Sequence, residues 1–88
     1  MTAGSVMNRV RERLEKTFGG QVDVRDLTGT DNHFEVRVVS PEFEGKTPVE
    51  RHKLVYAPLR DWIEDDTVHA LSVRAYTPAQ HQSLIKER

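Results

Sequence analysis

Four histidines, at positions 33, 52, 69 and 81, are the side chains of this sequence best suited to chemistry, and no cysteine accompanies them. An imidazole ligates metals through a ring nitrogen or moves a proton near neutral pH. Without thiolates, a zinc site of the usual cysteine kind and a disulfide framework are both excluded. His69 stands near the start of VHALSVRAYTP (68–78), whose alternating apolar residues read as a strand running into a helix start. A strand end leaves a side chain half buried yet reachable, so His69 reads equally as a structural imidazole or as a ligand. His33 also stands at a strand end. Parity places it with Glu35 and Arg37 away from the core, whereas His69 shares a side with Leu71 and Val73. Strand twist and loop bending are the means by which the two rings can meet. His52 falls at helical spacing from Val49, Val55 and Tyr56, which predicts a core histidine satisfied by a backbone carbonyl. His81, on a polar terminal helix, carries no assigned role.

Other chemistries find little support. Gly19-Gly20 precedes a strand rather than a helix N-terminus, so it does not form a phosphate-cradling loop. There is no nucleophile elbow and no spaced carboxylate–histidine metal motif, which argues against a standalone enzyme. Glu64-Asp65-Asp66 reads as a solvated acidic helix end. The segment 46–60 is basic, with Lys46, Arg51, Lys53 and Arg60 against Glu50, and two short helices meeting near Pro58 suggest a helix-turn-helix. Nucleic-acid binding through these four cations is therefore the alternative reading. The second helix of the pair carries Asp61, Glu64, Asp65 and Asp66, which phosphates would repel, so the first helix and the turn would have to dock.

The elements that must position these residues follow from periodicity. Val6, Val10, Leu14 and Phe18 recur every four residues as one helix face, with Ser5 as N-cap and Gly19-Gly20 as terminator. QVDVRDL and HFEVRVVS alternate as two strands, joined antiparallel through the turn LTGTDN. PEFEGK turns the chain with Gly45 at positive φ, and Thr47-Pro48-Val49-Glu50 is a capping box opening a helix to about Tyr56. Pro58 interrupts that helix before a second short one, PLRDWIED. After the strand that follows His69, Thr77-Pro78-Ala79-Gln80 caps a C-terminal helix, PAQHQSLIKER. The resulting α-β-β-α-α-β-α order predicts an α+β fold, a three-stranded sheet with helices on one face. At 88 residues the chain is one domain, too small for a separate catalytic unit. Its 31% charged residues and net charge of -1 are those of an ordinary globular protein, and no apolar run approaches the ~20 residues of a membrane span. The charged MTAGSVMNRVRERLEK lacks the apolar centre of a signal peptide, so a cytoplasmic protein is expected.

FEGKTPVERHKLVYAPLRDWI followed by VHALSVRAYTP resembles the BolA family, and its IbaG-like (YrbA-like) branch most closely, over about residues 22–79. The joint spacing of FEGK, RHKLVY and HAL carries the resemblance; no single piece would. It implies a class II KH-like fold over a core of about residues 5–86. It also implies pairing with a monothiol glutaredoxin around a shared [2Fe–2S] cluster, whose remaining ligands are the partner's cysteine and glutathione. Iron–sulfur cluster handling, or iron homeostasis, would be the role. In the family the histidine of HAL is a cluster ligand, here His69. The second ligand is a His or Cys of the loop between the first two strands, and LTGTDN holds neither. His33 at the loop's edge is the nearest candidate, and relatives with longer loops carry a histidine there beside the loop ligand, which leaves a structural reading of His33 equally open. The RH of the family signature falls on Arg51-His52 and implies a fold-stabilising role for both. The family's reported regulatory character points to DNA as the alternative partner, although Tyr56-Ala57-Pro58 lacks the GXXG loop of RNA-clamping KH domains. Membrane association is not expected, and the free chain is expected as a monomer or weak homodimer.

Such a chain can complete a cluster without thiolates when a partner supplies sulfur and it supplies neutral imidazole. Histidine in place of cysteine on a two-iron cluster is established in Rieske centres, where it raises the potential. Protonation would release the ligand, so ligation is expected to fail as pH falls toward an imidazole's ~6.5.

Overall fold

Every fourth residue of α1 (Val6–Phe18) points into the protein: Val10 and Leu14 are fully buried and Phe18 nearly so. Ser5 Oγ accepts the Asn8 N–H at 3.1 Å and starts the helix. Gly19, at φ 62°, ends it, its N–H reaching the Glu15 carbonyl at 2.8 Å. The computed structural model describes residues 5–86. Strands β1 (Gln21–Asp26) and β2 (His33–Val39) pair antiparallel with Val22 opposite Val38 and Val24 opposite Val36. Strand β3 (Ala70–Tyr76) lies parallel on the other side of β2, with Phe34 beside Leu71 and Val36 beside Val73, giving the order β1-β2-β3.

Parallel neighbours need a crossover. It is supplied by α2 (Pro48–Tyr56), a 3-10 turn at Ala57–Leu59 and α3 (Arg60–Glu64); α4 (Pro78–Lys86) follows β3. Side chains alternate across a strand, so Val22, Phe34, Val36 and Val38 share one sheet face with Leu71, Val73 and Ala75. That face forms a single core with Val10, Leu14 and Phe18 of α1, Phe43, Val55 of α2, Leu59 and Val68. Phe18 and Phe43 meet with ring centroids 5.3 Å apart. This is the expected α+β architecture in the expected order. No described helix is long and apolar enough to cross a membrane.

Local signals read from the sequence hold in detail. Thr47 Oγ1 accepts from Glu50 N while Glu50 Oε1 accepts from Thr47 N, and Gly45 sits at φ 75°. Thr77 and Gln80 exchange the same pair of bonds at the start of α4. The last two residues of the expected C-terminal helix lie outside the described residues. The crossover is clamped to α1 by Arg13. Its Nη1 donates to the Pro58 carbonyl at 3.1 Å and to Asp61 at 2.9 Å, and the guanidinium lies 3.6 Å over the Trp62 ring.

One expectation fails. His52 is exposed, and so is Val49, at 63%. The inward stripe runs instead through Arg51, Leu54, Val55, Pro58 and Leu59, at the helical spacing of 3, 4, 7 and 8 residues. A short helix holding few apolar residues fits either stripe by pattern. The buried Val55 and Leu59 decide between them and turn His52 outward, where it stacks on Tyr56 at 4.3 Å.

Candidate metal-ligand site

The turn between β1 and β2 is built from its own acidic and hydroxyl side chains. Asp26 Oδ1 accepts from Gly29 N at 2.9 Å, and its Oδ2 from Asp31 N at 3.0 Å. Asp31 occupies the left-handed region at φ 61°, which aspartate tolerates better than most residues. Its carboxylate crosses to the start of α1, where Oδ2 accepts from Val6 N at 2.9 Å and Oδ1 from Met7 N at 3.1 Å. The loop is thereby pinned to the helix, and its far end delivers Asn32 and His33 to the edge of the sheet. The Asn32 carbonyl then receives the N–H groups of His69 at 2.8 Å and Ala70 at 3.2 Å. These bonds set His69 one residue ahead of β3, beside His33.

The outcome is a pair of imidazoles at one end of the sheet, with ring centroids 5.0 Å apart and planes at 61°. Parity assigns the two to opposite sides, but His69 precedes the regular strand and escapes the alternation. Its side chain is 60% exposed, and the nearest carboxylate, Asp66, stands 4.0 Å from Nδ1, too far for a hydrogen bond. His33 is half-buried, and its Nδ1 lies 2.7 Å from Asn32 Oδ1. An imidazole binds a metal through a ring nitrogen, and here two such rings stand side by side at the sheet end. Among the described residues, no group of three or more His, Cys, Asp or Glu side chains could hold a metal ion. Two imidazoles are therefore at most part of a coordination shell, and a metal here would need further ligands from beyond the described residues.

Beside this pair the outward sheet face carries a charged network. Arg74 Nε donates to Glu35 Oε2 at 2.6 Å and Arg25 approaches Oε1 at 3.5 Å. The Arg74 hydrogen bond, helped by the surrounding guanidinium charge, holds the Glu35 carboxyl below the usual carboxylate range. This network stiffens the outer surface next to His33 without entering the site.

The basic segment 46–60 divides. Lys46, Lys53 and Arg60 are exposed. Arg51 turns inward: Nε donates to the Lys46 carbonyl at 3.1 Å, and Nη1 to the Ala75 carbonyl at 3.1 Å and to Gln80 Oε1 at 2.8 Å. It ties α2 to β3 and to the cap of α4, the fold-stabilising role implied for the signature arginine. His52 of the same signature takes no part in the core. The bonds of Asp31 and Asn32 are not legible in LTGTDN, whose composition says only turn. One signal was available: α1 has no acidic residue in its first turn, leaving its N-terminal amides to be satisfied from elsewhere.

Comparison with known proteins agrees with this architecture. BolA-like protein 1 of Bos taurus is 39% identical over 85 residues, covering 88% of this chain. The chain spans about 62% of the bovine protein's length. Acid stress protein IbaG of Escherichia coli (strain K12) is 41% identical over 54 residues, which cover 61% of this chain and 64% of that protein. Among solved structures, the BolA domain of SufE1 from Arabidopsis thaliana superposes with a TM-score of 0.80 at 39% identity, covering 90% of this chain and 99% of that domain. The family model described as BolA-like protein matches residues 9–80, nearly the whole described fold, and with these likenesses it shows that the chain belongs to the BolA family.

Proposed function

We propose that this chain is a non-enzymatic partner of a monothiol glutaredoxin. In this reading it completes a [2Fe–2S] cluster otherwise held by the glutaredoxin's cysteine and glutathione, in the handling of iron–sulfur clusters or iron homeostasis. The carrying observation is the exposed His69 with His33 at 5.0 Å, a two-nitrogen donor set with no further ligand of its own among the described residues. His69 is the principal ligand and His33 the second. The bound cluster would supply one-electron chemistry at a potential raised by the nitrogen ligands. This chain's own part is to offer unprotonated imidazole on a stiff sheet end and to dock. The DNA reading ranks second. Arg51 is engaged within the fold, and α3 has only five residues with Asp61 among them, leaving Lys46, Lys53 and Arg60 as its exposed cations.

The test is to mix the chain with a cluster-loaded monothiol glutaredoxin and record visible absorption and circular dichroism. Wild type should change the spectrum, His69→Ala should abolish the change, and His33→Ala should reduce or alter it. An unchanged spectrum with wild type, or an identical change with His69→Ala, contradicts the ligand reading. DNA affinity that falls steeply with salt and drops in Lys53→Ala would instead favour the second reading.

A further inference from the structure

We infer that Asn32 is a positioning residue that holds the two imidazoles together and fixes the tautomer of His33 so that Nε2 is left bare. The inference rests on the ligand reading above for its purpose, though its geometry stands without it.

The side chain of Asn32 orients one ring. The structure places Asn32 Oδ1 between Thr30 Oγ1, which donates to it at 2.5 Å, and the ring of His33. His33 Nδ1 lies 2.7 Å from this oxygen and 3.5 Å from Thr28 Oγ1; an amide oxygen has lone pairs and no proton, so with the oxygen in this place Nδ1 is the donor. A neutral imidazole protonated on Nδ1 carries its lone pair on Nε2, the form required of a ligand. Thr28 Oγ1, 2.5 Å from Thr30 Oγ1, extends the chain of hydroxyls behind the amide. Metal-ligating histidines commonly use their second nitrogen in this way, and the bond both orients the ring and raises its basicity.

The main chain of the same residue places the other ring. The Asn32 carbonyl accepts from His69 N and Ala70 N, so the start of β3 is registered against the residue that holds His33. Asn32 is itself held, because its neighbour Asp31 is bonded to the first two amides of α1. One residue thus serves both histidines, through its side chain for His33 and through its backbone for His69.

The experiment uses the apo chain, labelled with 15N, at about pH 8, above the ~6.5 of an ordinary imidazole. Two-bond proton–nitrogen correlation spectra report which nitrogen of His33 bears the proton. In wild type the Nδ1–H form should predominate. Asn32→Ala should shift the tautomer ratio toward Nε2–H by roughly fivefold to tenfold, the equilibrium effect of one hydrogen bond. Asn32→Asp should restore Nδ1–H, since a carboxylate oxygen accepts the same proton. Slow amide exchange at His69 and Ala70 should persist in Asn32→Ala, because the backbone carbonyl is retained; this confirms that the variant is folded. A wild-type His33 protonated mainly on Nε2, or a ratio that Asn32→Ala leaves unchanged, overturns the inference. No cluster is present, so failure here is separate from failure of the spectral test with glutaredoxin, and each can occur without the other.

Discussion

Replacing Asp31 should weaken the fold in steps that separate its two roles. Its carboxylate accepts the Val6 and Met7 N–H groups at 2.9 and 3.1 Å from a position more than twenty residues along the chain, and it sits at φ 61°. Loss of a helix cap costs ~1 kcal/mol. Loss of the negative charge at the positive end of the helix dipole adds about 0.3–1 kcal/mol. An alanine held in the left-handed region adds about 1–2 kcal/mol more, which glycine avoids. Asp31→Asn, which keeps one acceptor and tolerates the backbone, should therefore cost about 1 kcal/mol. Asp31→Gly should cost about 1.5–2 kcal/mol, and Asp31→Ala about 3 kcal/mol. Urea unfolding at neutral pH measures all three by midpoint and slope. For a domain of this size each kcal/mol moves the melting temperature by about 4–8 °C. The Asn–wild-type gap should shrink with added salt, which screens the dipole contribution. If Asp31→Gly matches wild type, the cap contributes nothing. If Asp31→Ala matches Asp31→Gly, the backbone argument is wrong.

Two further outcomes follow from single contacts. A Cβ added at Gly20 would stand 2.3 Å from the Val39 carbonyl oxygen, so the start of β1 would have to move away from β2. Gly20→Ala should cost at least ~2 kcal/mol in the same unfolding assay, in the upper part of the overpacking range; a cost under about 0.5 kcal/mol would show that the strand end yields freely. Arg74 holds the Glu35 carboxyl below its ordinary pKa, so this pair contributes stability at pH values above the usual carboxylate range and loses it as pH falls on through the lowered pKa of the folded carboxyl. Glu35→Gln should therefore melt below wild type at pH 7 and converge with it only once the pH falls below the lowered pKa of the folded carboxyl. A gap that persists at low pH would assign the effect to packing.

What the sequence discloses differs between the backbone and the site. Val10, Leu14 and Phe18, the strand alternation of Phe34, Val36 and Val38, and the two Thr-Pro caps each express a local rule strong enough to read directly. Periodicity alone misplaces His52 because α2 carries few apolar residues and Arg51, whose guanidinium bonds to Ala75 and Gln80, takes an inward position normally apolar. The meeting of His33 and His69 was only half legible. Strand parity separates them, and what brings them together is the Asn32 carbonyl binding the two amides at the start of β3, a contact between segments 37 residues apart or more. The Asp31 bridge to α1 is likewise a tertiary contact, hidden in a stretch whose composition says only turn.

The most direct measurement is pulsed electron paramagnetic resonance on the reduced complex with a cluster-loaded monothiol glutaredoxin, with only this chain's histidines labelled with 15N. Coordination by His69 predicts a strong nitrogen hyperfine coupling that converts from the 14N to the 15N pattern on labelling and vanishes in His69→Ala. A complex whose spectrum contains no coupling from this chain's nitrogens, or one that survives unchanged in His69→Ala, contradicts the account.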